Sequence, residues 1–246
     1  MRAAVHAEWT KLRTVPGPAG LLFAVAASTI LLGAVVANSV TCLVAGCTAD
    51  AAKSSLTGVQ LGQAVVAVLA VLVVGDEYGT GMIRTTLIAM PRRSVVLAAK
   101  AVVLLGPVLV VGVLAAAGSL VAGSRLLPLS LSDPSTLRAA GGSALYFGLV
   151  ALLGLGVAAT VRDSAAAVGV TLGLLYLFPI LAATVASPTW HRHLQQISPS
   201  SAGLAVQATV GLHSLPIGPW AGLGVLGLWA AGALLAGGLL LQVRDA

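Results

Sequence analysis

Residues 58–123 read GVQLGQAVVAVLAVLVVGDEYGTGMIRTTLIAMPRRSVVLAAKAVVLLGPVLVVGVLAAAGSLVAG. Two apolar runs, Gly58 to Gly75 and Ala101 to Gly123, flank a polar stretch from Asp76 to Lys100. A bilayer core of about 30 Å takes roughly 20 helical residues at 1.5 Å each. The second run meets that length, and the first, at about 18 residues, just suffices. The segment therefore reads as two membrane spans joined by a polar loop, which fixes the class of the whole chain.

Outward from this pair the pattern repeats. Further apolar runs cover about 18–40, 142–161, 164–186 and 219–243, giving six spans in all. Pro107 and Pro179 fall inside two of them, which spanning helices tolerate because neighbours can satisfy the freed carbonyl. The last span carries Gly222, Gly224, Gly227 and Gly232, small residues that let helices approach closely. A shorter apolar piece, Ala202 to Leu212, is too short to cross and reads as a re-entrant or interfacial helix.

Composition agrees. Hydrophobic residues make up 58% of the 246 and charged residues 8%, whereas soluble chains carry about a quarter charged. The expected fold class is an all-α polytopic membrane protein with six transmembrane helices. The net charge of +6 does not point to nucleic acid, because 13 cations scattered between apolar runs make no phosphate-tracking face. They set topology instead. With the N-terminus inside, Arg2, Lys11, Arg13, Arg84, Arg92, Arg93, Lys100, Arg162 and Arg244 are cytoplasmic, and Lys53, Arg125, Arg138 and Arg192 lie outside. The expectation is both termini cytoplasmic, and the richness in Ala, Gly, Val and Leu suggests a GC-rich bacterial source.

This topology puts Cys42 and Cys47 in the first outer loop, where a disulfide is permitted; the sequence leaves bridged and free thiols equally open. Residues 44–47 resemble a lipoprotein cleavage box, but the preceding segment is too long for a signal peptide. Lys53-Ser54 lacks the glycines of a phosphate-binding loop. His191 and His193 lack neighbouring partners for a metal site and read as interfacial loop residues. No carboxylate or histidine lies deep in a span, so membrane-embedded acid–base chemistry is not expected and no catalytic residue is assigned.

Two cytoplasmic features remain. Ahead of the first span (residues 1–15), Val5, Trp9 and Leu12 fall at helical spacing, with Arg2, His6, Lys11 and Arg13 on other faces. This predicts an amphipathic interfacial helix whose Trp9 meets the headgroups and whose cations meet anionic lipid, broken at Pro16, Gly17 and Pro18. In the 76–100 loop, a break over Glu77, Tyr78, Gly79, Thr80 and Gly81 precedes helical potential from Met82 to Met90, stopped at Pro91. A short helix across the cytoplasmic face is expected there.

The string EYGTGMIRTTLIAMPRRSVVLAAK, with Glu77, Gly79, Thr80, Pro91, Arg93 and Lys100, resembles the first cytoplasmic loop of permease subunits of type-2 ABC transporters. EWTKLRT, with Glu8, Trp9, Lys11 and Arg13, looks like the connecting helix that opens many of them. The resemblance implies that the loop helix is a coupling helix docking on a separate ABC ATPase subunit, which binds ATP and Mg. The chain itself would need no cofactor. Glu77, Gly79 and Thr80 would shape the start of that helix, with a glycine where the backbone bends sharply. Arg84, Arg92 and Arg93 would pair with acidic groups of the partner. A second permease copy or homologue would complete a pathway lined by spans two and five, where Gln60, Gln63, Thr171, Tyr176 and Thr184 are the polar exceptions in aliphatic walls. Such walls suit export of a hydrophobic or amphipathic substrate. A secondary carrier and a non-transporting membrane scaffold are the alternatives.

Overall fold

In the structure, a computed structural model that describes residues 2–43, 50–82 and 93–243, no strand occurs among the described residues. Helix α1 (Arg2–Thr14) stops at a bend on Val15, and α2 (Pro16–Leu43) begins at once. Proline opens a helix readily because the first-turn N–H groups have no intrahelical acceptor. The predicted break is thus a single residue, and Pro16 to Pro18 belong to the next helix.

A short α3 (Ala51–Ser55) and a 3-10 turn (Leu56–Gly58) lead into α4 (Val59–Gly79), followed by α5 (Arg93–Ser124) and α6 (Pro134–Val161). The fifth span comprises α7 (Ser164–Leu172), a π-turn (Gly173–Leu177) and α8 (Phe178–Ala183). Pro179 accounts for the turn: it lacks an N–H and its ring would strike the carbonyl of Leu175, a conflict that widening to π geometry relieves. Then come α9 (Pro188–Ile197), α10 (Pro199–Gly203), 3-10 turns at Leu204–Gln207 and Leu212–Ser214, and α11 (Pro219–Val243).

Six of these helical stretches are long and apolar enough to cross a membrane: Pro16–Ser39, Ala51–Gly79, Arg93–Ser124, Pro134–Val161, Ser164–Ala183 and Pro219–Val243. The protein is an all-α polytopic one with six such helices, as its sequence predicts. The bounds differ in an informative way. The second span continues through Gly79, so Asp76, Glu77, Tyr78 and Gly79 are helix and not loop. The third starts at Arg93, so Lys100 lies inside a helix. His191 and His193 sit on α9 and not in a loop. The piece from Ala202 is a set of short turns folded into the bundle, with Ala202, Ala205, Val206 and Ala208 buried.

The bundle is organised around α6, which packs on α4, α5, α7 and α11. Its Tyr146, Phe147, Leu153 and Leu155 are fully buried. By contrast α2 and α11 turn large apolar side chains outward, among them Phe23, Leu31, Leu228 and Leu235, as lipid-facing helices do. Close approach in α11 depends on Gly222, where a Cβ would stand 1.9 Å from the Ala202 carbonyl oxygen, and on Gly237, which packs on Ala159 and Gly156. Gly224, Gly227 and Gly232 have nothing within 4 Å of such a Cβ, so three of the four glycines expected to mediate packing face open space within this chain.

Candidate functional site

The two ends of the bundle carry different chemistry. At one end gather α1, the start of α2, the last turn of α4 and the first turns of α5. A carboxylate in the last turn of a helix faces the negative end of the helix dipole, so Glu77 needs cations from elsewhere. It finds two. Its Oε1 accepts from Lys11 Nζ of α1 and Lys100 Nζ of α5, both at 2.7 Å. The same two ammonium groups also donate to Glu8 of α1, Lys11 to Oε1 at 2.9 Å and Lys100 to Oε2 at 2.8 Å. The result is a closed ring of alternating charge, Glu8–Lys11–Glu77–Lys100, that joins three helices.

Glu8, Glu77 and Lys100 are each about 95% buried. Charges desolvated to this degree hold only when paired and hydrogen-bonded, so the ring specifies how α1, α4 and α5 sit together. Burial pulls the Lys11 amine down, but its hydrogen bonds to Glu77 and Glu8 prevail and hold it above the ordinary lysine value. Around the ring, Arg93 donates to the Leu241 carbonyl at 2.5 Å and Arg162 to the Leu240 carbonyl at 3.1 Å, tying the end of α11 to the same region. The Arg162 guanidinium also stands 5.7 Å over the Tyr78 ring.

Several sequence expectations change here. Glu77 does not open the loop: it is an internal strut of the bundle. Gly79 ends α4 in helical geometry, and the left-handed residue that redirects the chain is Gly81, at φ +71°. Thr80 caps α4 by donating its hydroxyl to the Asp76 carbonyl at 2.7 Å. On α1 the buried face is Ala4 and Glu8 with Lys11 beside them, while Trp9 and Arg13 are exposed. The Val5, Trp9 and Leu12 stripe adjoins that face and is not the one packed on the bundle. Arg84, Pro91, Arg92 and Cys47 lie outside the described residues, and of Cys42 only the backbone, in α2, is described.

The opposite end gathers neutral polar groups around the carboxylate of Asp50, with Lys53 and Arg138 beside them. Gln60, Gln63 and Tyr176, drawn from spans two and five, line a single cavity of about 380 Å³ together with Lys53, Gln195 and Ser200. The Tyr146 hydroxyl donates to Gln63 Oε1, and the Tyr176 hydroxyl to the Gln60 carbonyl. Tyr176 belongs to the π-turn, so the feature that widens the fifth span also carries its one phenol, which donates across to the second. Thr171 and Thr184 do not join them: Thr171 is buried and bonded to the Ala167 carbonyl, and Thr184 is exposed and bonded to the Leu181 carbonyl.

Beside this cavity, Asp50 caps α3 through Lys53 N at 3.0 Å and accepts from Thr209 N and Oγ1, both 2.6 Å, and from Val210 N at 3.1 Å. One carboxylate thus clamps the loop after span five to the loop before span two. Burial pushes the Asp50 carboxyl up, yet the hydrogen bonds from Thr209, Lys53 and Val210 hold it below the ordinary carboxylate value. His191 receives a role too, its Nδ1 lying 3.0 Å from the Ala182 carbonyl and its Nε2 2.9 Å from Gln195 Nε2. These contacts pin α9 under the cavity.

Sequence reasoning missed Asp50 and placed Lys100 only in the loop motif, with no partner. Lys100 carried a signal: a single cation inside SVVLAAKAVVLL is costly to bury and demands a carboxylate partner. For Asp50 only the cap on Lys53 is local, and its other partners, Thr209 and Val210, lie about 160 residues away. Among the described residues no group of three metal-ligating side chains converges. The chain matches no family model and no curated protein.

Proposed function

We propose that the chain is the membrane-spanning permease subunit of an ATP-driven ABC exporter. It would pair with a second permease copy or homologue in the bacterial cell membrane, both termini cytoplasmic, and work with a separate ABC ATPase subunit that binds ATP and Mg. The observation that carries this reading is the ion ring. It fastens α1, α4 and α5 into one unit at the ends of α4 and α5 that residues 80–92 connect in sequence. A partner pressing on that segment would move two spans and α1 together. Independent helices joined by a slack loop would absorb the displacement, and a partner shifts a conformational equilibrium only through contacts that differ between states. The cavity lined by Gln60, Gln63 and Tyr176 at the other end is where a moving amphipathic substrate would meet polar groups.

The test is co-purification from mild detergent. An ATP-hydrolysing subunit is expected to accompany the chain and to be lost from an Arg84→Ala/Arg92→Ala variant whose thermal stability is unchanged. Glu77 is the wrong residue for this purpose, since its loss would disturb the bundle itself. A secondary carrier is the second reading, favoured by the π-turn that sets Tyr176 on the cavity within the continuous fifth span, because π-turns often mark functional sites. Transport by the chain alone in ATP-free vesicles would select that reading and sink the first.

A further inference from the structure

The cavity of about 380 Å³ beside Asp50 is lined by two kinds of group. Lys53, Gln60, Gln63, Gln195, Ser200 and Ser201 are polar, and Leu175, Ile180, Leu204, Leu215 and Ile217 are apolar. Amides and hydroxyls both donate and accept, so they take a ligand of either sign. Lys53 only donates, and among the described residues it is the one charged side chain on these walls. Its ammonium has no ion pair or hydrogen bond among those residues, and the neighbouring carboxylate of Asp50 is taken up by Lys53 N, Thr209 and Val210. Residues 44–49, just ahead of Asp50, contain no charged residue and leave that balance unchanged. Lys53 is also exposed, so its ammonium can be reached, and none of the buried polar atoms that lack a partner belongs to this lining.

The volume lies near the lower end of the roughly 300–1,000 Å³ of small-molecule sites, which leaves room for a head group and one chain. Around it, the described residues of the far end carry Lys53, Arg125, Arg138 and Arg192 against Asp50 and Asp133, a surplus that concentrates anions locally. We infer that the cavity takes an acidic single-chain amphiphile. Its carboxylate or phosphate head accepts from the Lys53 ammonium, and its chain lies against Ile180, Leu204 and Ile217. That such a molecule is cargo rests on the permease reading; that it binds does not.

The test is photolabelling of the full chain in mild detergent with dodecanoate, dodecanol and dodecylamine, each carrying a diazirine near the end of its chain. Dodecanoate should label about fivefold more than the other two, the worth of one ion pair at a partly exposed site, with adducts within 175–180, 204 and 215–217. Lys53→Gln should remove the preference at an unchanged melting temperature, because this side chain holds no other element, and Lys53→Arg should keep it. Equal labelling by the three probes, a preference that survives Lys53→Gln, or adducts elsewhere overturns the inference. Dioleoyl phosphatidylglycerol competing as well as unlabelled dodecanoate also overturns it, since the occupant would then be a bilayer lipid. No ATPase takes part, so failure here leaves the permease reading to its co-purification test. Failure of that test with the labelling intact would leave an acid-binding cavity without its cargo role.

Discussion

The two ends of this bundle solve the same problem by different means. At the α1 end, four charged side chains from three helices close a ring in which Glu8, Glu77 and Lys100 are buried and only Lys11 meets solvent. At the far end, a half-buried carboxylate, Asp50, collects backbone and hydroxyl donors from one distant loop, beside a cavity lined by the amides of Gln60, Gln63 and Gln195, the Tyr176 phenol and Lys53. A ring of buried charges tolerates little displacement, because each ion depends on two others. Neutral hydrogen bonds around a cavity can be exchanged for water or ligand at small cost. The first end is therefore the stiff one, and the second is the end whose hydrogen bonds can change partners.

The largest effect should come from breaking the ring. Lys100→Met leaves Glu8 and Glu77 buried with Lys11 alone between them, and a loss of about 3–5 kcal/mol is expected in detergent unfolding. Glu77→Leu with Lys100→Met should cost less than Lys100→Met alone, since Glu8 and Lys11 then still pair with each other. A Lys100→Met variant as stable as the parent would show that the α1 end is not held by its charges.

Next in size is the far end's packing. Gly222→Ala forces a methyl into the Ala202 carbonyl and should destabilise by about 1–3 kcal/mol, whereas Gly227→Ala, which meets open space, should be neutral or slightly stabilising. Equal melting temperatures for the two variants would contradict the close contact of α10 with α11.

Asp50→Asn should cost about 1–2 kcal/mol and expose the amides of Thr209 and Val210 to hydrogen exchange, with no change in exchange on α1. Protection lost at both ends would mean that the two are coupled more tightly than their contacts imply.

The ends should also fail at opposite extremes of pH. Asp50 has a folded value below its ordinary 3.8, so its contribution is present above that pH and is lost as pH falls through the lower folded value. Lys11 has a folded value above its ordinary 10.5, so its contribution is present below that pH and is lost as pH rises through the higher folded value. Hydrogen exchange at acid pH should open residues 208–210 first, and unfolding in strong base should begin at α1. Both groups are partly exposed, so these are the smallest effects.

Much of the fold was legible because its signal is local. Runs such as Ala101 to Gly123 can satisfy their backbone only as helix in a bilayer, whatever surrounds them. Helix ends were less legible. Asp76 and Glu77 look like loop because acids at a helix C-terminus are unfavourable, and α4 extends through them only since two distant lysines answer the charge. Gln60, Gln63 and Tyr176 were identifiable as polar exceptions in apolar spans. Whether their hydroxyls and amides point across a cavity or back to their own helix, as in Thr171 and Thr184, depends on neighbours that no local pattern encodes.

The sequence by itself determined the class of molecule, the number of spanning helices and the places where charge interrupts them, since length and hydropathy act one segment at a time. Only the tertiary structure decided which charges face each other. Burying an ion is prohibitive alone and acceptable in company, and the company here comes from residues 8, 11, 77 and 100, which meet only when three helices pack.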